Sequence, residues 1–174
     1  MGLLMSAQVY PAADEHSHVR DVARGIKLLS SDAVLIAAHQ MVSLIPPGST
    51  LVPIPGADGK ANNSLLLASA IAQIGGMDVA DILEGSPRDS QYTCKKLGRG
   101  LTAEQMPMML RAGLSIPDGV VLIDNAAGTG ETIRSARMAL GGDFPAVVYA
   151  AEKKLLEGSP AKRRVFDFDS DFSM

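Results

Sequence analysis

Nine consecutive residues, Asp124-Asn125-Ala126-Ala127-Gly128-Thr129-Gly130-Glu131-Thr132, carry the densest chemistry in this chain. A carboxylate accepts hydrogen bonds from hydroxyl groups, and a carboxamide both accepts and donates. The Gly/Thr turn that follows offers backbone N–H and side-chain O–H donors, which suit an anion. The combination has the layout of a phosphate-ester site. A second cluster, Gly56-Ala57-Asp58-Gly59-Lys60, follows Val52-Pro53-Ile54-Pro55. Its glycines permit close backbone approach, its prolines set a rigid exit, and Lys60 adds a positive charge. A third set, Arg88, Lys95, Lys96 and Arg99, lies in the long polar segment 84–105, a natural closing lid.

These residues need elements to hold them. Val120-Val121-Leu122-Ile123 is an unbroken branched run, the pattern of a parallel strand buried on both faces. Asp124 is expected to end it, with a helix opening at Glu131 and running to Leu140. Ligands bind where such strands give way to helices, because a helix N-terminus presents N–H groups to an anion. Further strands are expected at 50–54, 79–83 and 146–150, with residues 3–10 as a strand or an arm. Residues 17–45 read as helical with a break at Ser30-Ser31-Asp32, and helices are expected at 64–74 and 103–112. Repeated strand–helix units imply an α/β fold, a doubly wound and mainly parallel sheet with helices on both faces. The 174 residues show no linker or repeat, so a single domain over 1–174 is expected, with the acidic tail 167–174 frayed.

Two familiar phosphate loops do not fit. A Walker loop requires Lys where Glu131 stands, and the dinucleotide fingerprint requires a third Gly where Ile133 stands. The strand, the acidic-amide pair and Thr129-Gly130-Glu131-Thr132 resemble instead the PRPP-binding signature of type I phosphoribosyltransferases. Val52-Pro53-Ile54-Pro55, the Gly loop and the Leu/Ala helix after Asn62-Asn63 are similar to the ComF-like branch of that family, as is Arg88 followed by Gln91. The resemblance spans roughly residues 25–150. It implies that Asp124 and Asn125 hold the ribose hydroxyls, that residues 126–132 cradle the 5′-phosphate, and that Gly56–Lys60 form a pyrophosphate loop. It further implies catalytic roles for Asp124, Arg88, Lys95 and Lys96, with Mg²⁺ carried by PRPP and no direct protein metal site. Three departures stand out. Asn125 replaces the second acid, Gly128 replaces the loop Asp of purine-salvage members, and the Cys-rich zinc ribbon often fused to ComF-like domains is absent.

The activity implied is displacement of pyrophosphate from PRPP by an unidentified base or amine, a glycosyltransferase-class reaction. Two alternatives remain open: a non-catalytic module that senses PRPP or a nucleotide, and a ComF-like accessory of DNA uptake. Composition bears on the choice. The chain is 47% apolar but only 4% aromatic, so the core is aliphatic and lacks the stacking platform of a single-strand nucleic-acid binder. A net charge of −3 gives no general attraction to nucleic acid or anionic membranes. The single cysteine, Cys94, excludes a disulfide framework and fits a reducing, cytoplasmic setting. The expected partners are PRPP and a small-molecule acceptor, with a homodimer allowed and no membrane.

Overall fold

The computed structural model describes residues 2–11, 17–90, 93–94 and 97–157. Five parallel strands form one sheet in the order β1-β7-β6-β2-β3. They are β1 (Leu4–Val9), β2 (Thr50–Pro53), β3 (Asp78–Val79), β6 (Val120–Ala127) and β7 (Ala146–Ala151). Strands β4 (Leu83–Gly85) and β5 (Met108–Leu110) make a separate antiparallel pair. The helices are α1 (His18–Lys27), α2 (Ser31–Met41), α3 (Asn62–Gly75), α4 (Glu131–Leu140) and the short α5 (Lys153–Glu157).

Strand alternation divides the core into two layers. Leu51, Val121, Ile123, Val147 and Tyr149 pack with α1, α2 and α3 on one face. Val52, Val120, Leu122, Ala146 and Val148 pack with α4 and the β4–β5 pair on the other. Both faces are therefore covered, which is why the strands read as continuous apolar runs. The run at 120–123 sits at the centre of the sheet, and residues 3–10 supply an edge strand paired in parallel with β7.

Three expectations require correction. Asp124 does not end its strand: β6 continues through Asp124 and Asn125 to Ala127, because β7 keeps pairing with it as far as Ala151. The strand expected at 79–83 is split. Only Asp78–Val79 joins the sheet, after which the chain turns at Ala80, whose carbonyl accepts from Ile82 N–H at 3.0 Å, and Arg111 pairs with Asp81 at 2.8 Å. The helix expected at 103–112 is a 3-10 turn (Ala103–Gln105) followed by β5. Pro107 supplies no N–H to continue the turn, and Met108–Leu110 finds its backbone partners in β4 instead. The tail 167–174, Lys95 and Lys96 lie outside the described residues.

The α1–α2 corner, near Ser30 as expected, is built unusually. Ser30 N–H donates to Gly25 O at 2.9 Å and Leu29 N–H to Ile26 O at 3.0 Å, the paired bonds of a Schellman cap. The left-handed position that glycine ordinarily fills is taken by Leu29, with φ of 58°, the one non-glycine positive φ among the described residues.

Candidate functional site

The site lies at the carboxyl ends of β2, β6 and β7. Pairing between β2 and β6 runs from Thr50↔Val120 to Pro53↔Ile123, and β2 then turns away into the 56–60 loop. Beyond Ile123 the β2-facing edge of β6 has left its ladder. Asn125 N–H turns to the Asp124 carboxylate, Oδ1 at 2.7 Å. Successive strand residues face opposite sides, so Asp124 and Asn125 diverge. Asp124 keeps partial solvent contact, whereas Asn125 is buried and its Nδ2 has no hydrogen-bond partner in the structure. A buried donor without an acceptor costs about 1–3 kcal/mol. Burial pushes the Asp124 carboxyl up to about 6, against the pull of the Asn125 N–H, Lys27 and Arg88.

The loop 56–60 is internally braced. Gly56 N–H donates to Lys60 O at 2.8 Å, and Asp58 accepts from Lys60 N–H at 3.1 Å and from Asn62 Nδ2 at 2.8 Å. Ser64 Oγ donates to Ile54 O, fastening the start of α3 to the end of β2. Gly59 is required twice over. Its φ is 80°, and a Cβ there would stand 2.3 Å from Gly85 O. Arg88 closes over this loop, its N–H on Ala57 O at 2.8 Å and its guanidinium on Gly56 O at 3.1 Å. Burial lowers the Arg88 guanidinium pKa from its ordinary value, and the nearby Asp124 and Asp58 carboxylates oppose that shift. The structure thus gathers Arg88, Asp58, Gly56 and Asp124 from three separate stretches of sequence.

On the other side, Gly128 and Thr129 lead into Gly130 (φ 81°), and α4 begins at Glu131 and Thr132, with Thr129 Oγ1 accepting from Glu131 N–H at 3.5 Å. The Glu131 carboxylate turns outward, accepting from Ala103 N–H at 2.8 Å and from Arg134. Arg134 also pairs with Glu104, and Ser135 Oγ donates to Met106 O, so α4 anchors residues 103–106. A groove of about 600 Å³ flanks α4, lined by Thr129, Gly130, Arg137, Met138 and Leu155 among others, but it does not include Asp124, Arg88 or the 56–60 loop.

Two residues that the motifs did not single out stand at this site. Lys27, the last residue of α1, acts electrostatically on Asp124, and nothing in sequence spacing relates residue 27 to residue 124. Glu152 follows β7 directly, its N–H donating to Ala127 O at 2.9 Å. That acid occupies the end of a buried strand, the same signal that marked Asp124. Among the described residues, no three His, Cys, Asp or Glu side chains converge as a metal site.

The fold and site define a doubly wound α/β protein in which two strand-end loops and a helix N-terminus lie at the carboxyl ends of the central strands. No family model matches the chain, and no curated protein matches it by sequence. Among solved structures, it is similar to Trypanosoma cruzi hypoxanthine phosphoribosyl transferase, from work on how that enzyme's C-terminal region affects oligomeric state and activity. The match has a TM-score of 0.42 at 14% identity and covers 91% of this chain and 78% of that one. A likeness at this level leaves the function to be argued from the residues themselves.

Proposed function

We propose that this protein is a phosphoribosyltransferase that binds PRPP with Mg²⁺ and exchanges its pyrophosphate for a small-molecule acceptor. The observation that carries the reading is the convergence of Arg88, the 56–60 loop and Asp124 at the carboxyl ends of the central strands, with the N-terminus of α4 following β6. The 5′-phosphate would lie against backbone N–H groups of residues 127–132, where the helix field favours an anion. The Asp124 carboxylate would accept from a ribose hydroxyl. Asn125 Nδ2 is a donor still lacking an acceptor, a fit for a ligand oxygen that reaches it or for a water between them. Pyrophosphate would occupy the 56–60 loop under Arg88, with Lys60 at its rim. Mg²⁺ arriving with PRPP would neutralise the pyrophosphate charge, touching Asp124 at most.

During transfer, negative charge grows on the departing pyrophosphate while C1 becomes cationic. A fixed cation beside the leaving group, the Arg88 guanidinium, is worth more in the transition state than in the ground state. Lys95 and Lys96 belong to the same segment as Arg88 and would add charge on closure. A non-catalytic sensor of PRPP is the second reading, favoured by the neutral Asn125 and by Gly128, which puts no acid in the loop.

Titration calorimetry of PRPP with and without Mg²⁺ tests the site, and pyrophosphate release across a panel of bases and amines tests the activity. Mg²⁺-dependent binding that disappears in Asp124→Asn is the expected result. Absence of PRPP binding by the native protein would remove both readings, and binding without release would leave the sensor.

A further inference from the structure

The β7–α5 junction leans on the phosphate turn at two points. A Cβ on Gly128 would stand 3.2 Å from Glu152 Oε1, and one on Gly130 would stand 3.6 Å from Leu155. The Glu152 carboxylate therefore occupies the space that a side chain at 128 would use. Gly128 is not among the positive-φ residues, so its backbone does not demand glycine; the neighbouring carboxylate does. Lys154 Nζ donates to the other oxygen, Oε2, at 2.8 Å, which fixes the carboxylate with Oε1 on the loop side.

Strand order gives this placement its meaning. The pyrophosphate loop leaves β2, on one side of β6, and Glu152 leaves β7, on the other. A group bound between Asp124 and the phosphate turn of β6 thus has the leaving-group loop on one flank and a carboxylate on the opposite flank. Displacement with inversion requires the nucleophile and the leaving group to stand on opposite sides of the carbon attacked.

Resting on the phosphoribosyltransferase reading above, we infer that Glu152 is a catalytic general base and that the acceptor attacks through an N–H group. As the acceptor nitrogen bonds to C1 of PRPP, the C1–O bond to pyrophosphate breaks and its electron pair leaves with pyrophosphate. The acceptor's proton passes to Glu152 Oε1. A carboxylate facing the acceptor selects heterocycles or amines with an N–H to give and disfavours anionic acceptors presenting only oxygen.

The experiment measures pyrophosphate release from Mg²⁺–PRPP with imidazoles, purines, pyrimidines, aryl amines and ammonia, alongside simple carboxylates as the contrasting class. Glu152→Gln keeps the shape of the side chain but cannot take the proton. Its turnover should fall about 100-fold or more, with calorimetric PRPP affinity and melting temperature unchanged. The double variant Glu152→Ala with Gly128→Asp returns a carboxylate to the same space from the loop and should regain part of the lost rate, which a merely structural role would not produce. Native-like turnover in Glu152→Gln overturns the inference while leaving the transferase reading in place. So does turnover with carboxylates but with none of the N–H acceptors. If the native protein fails to bind PRPP, the transferase reading falls first and this assignment falls with it.

Discussion

Asp124→Asn should stabilise the unliganded protein at neutral pH even as it removes the proposed ligand contact. The Asp124 carboxyl is raised from 3.8 to about 6, burial outweighing the Asn125 N–H, Lys27 and Arg88. A gap of about 2 units at about 1.4 kcal/mol per unit puts the cost of holding the ionised form near 3 kcal/mol. Because the folded value lies above the unfolded one, the native state binds the extra proton between them. The contribution to stability is then fully present below pH 4, declines as pH rises to about 6, and is gone above pH 7. Asparagine copies the neutral acid and can still accept from Asn125 N–H, so it escapes this loss. The variant should match the native protein near pH 4 and exceed it by about 2–3 kcal/mol at pH 7.5. In a protein of this size that corresponds to a rise of roughly 4–12 °C in melting temperature. Urea unfolding followed by circular dichroism at pH 4.5, 6.0 and 7.5 reads the difference directly, since other titrating groups are common to both proteins. A variant that is less stable at pH 7.5, or an advantage that does not vary with pH, would refute the reasoning.

Three further outcomes are expected. Thr129→Val removes a hydroxyl beside the phosphate turn and should weaken PRPP binding by about 1–3 kcal/mol in calorimetry; an unchanged affinity in the folded variant rejects the phosphate assignment. Leu29→Gly relieves a left-handed leucine that is half exposed and should raise stability by about 1 kcal/mol in urea unfolding, whereas a loss would mean that the leucine side chain contributes more than its backbone costs. Gly59→Ala drives a Cβ against Gly85 O on a backbone with φ of 80°; it should cost about 2 kcal/mol or more and loosen the Arg88 contact, seen as faster amide exchange at Arg88.

The sheet was legible from the sequence wherever a strand is buried on both faces. Val120–Ile123 and Ala146–Ala150 show unbroken apolar runs because α-helices cover one side of the sheet and α4 with the β4–β5 pair cover the other. Legibility failed where tertiary partners decide the conformation. Residues 103–112 carry a helical density of apolar side chains, yet the backbone of 108–110 is claimed by β4 and the carbonyl of Met106 by Ser135. The end of β6 was misplaced for the same reason: Asp124 and Asn125 have low intrinsic strand preference, and only the length of β7 keeps them extended. Within the site, the loops could be recognised from glycine and charge spacing. The approach of Arg88 to Gly56 and of Lys27 to Asp124 could not, because each joins elements brought together only by the crossovers.

Several destabilising features meet at one end of the sheet. Asp124 is a carboxylate held where burial opposes its charge, and Asn125 next to it has a buried donor with no acceptor. Lys27, whose charge reaches Asp124, ends the helix that is capped by the strained Leu29. A domain optimised only for stability would replace each of them: Asn at 124, an apolar residue at 125, Gly at 29. A diol at Asp124 and an oxygen acceptor for Asn125 would reverse the first two costs, since both favour the charged or hydrogen-bonded form that the empty cleft penalises. Ligand binding and folding stability should therefore be coupled with a definite sign. PRPP with Mg²⁺ should raise the melting temperature less at pH 5.5 than at pH 8, because binding at the lower pH must first remove the Asp124 proton, and it should release that proton there. Calorimetry in two buffers of different ionisation enthalpy measures that release. Proton release on binding at pH 5.5 that is absent at pH 8 is the outcome that ties the buried carboxylate to the ligand.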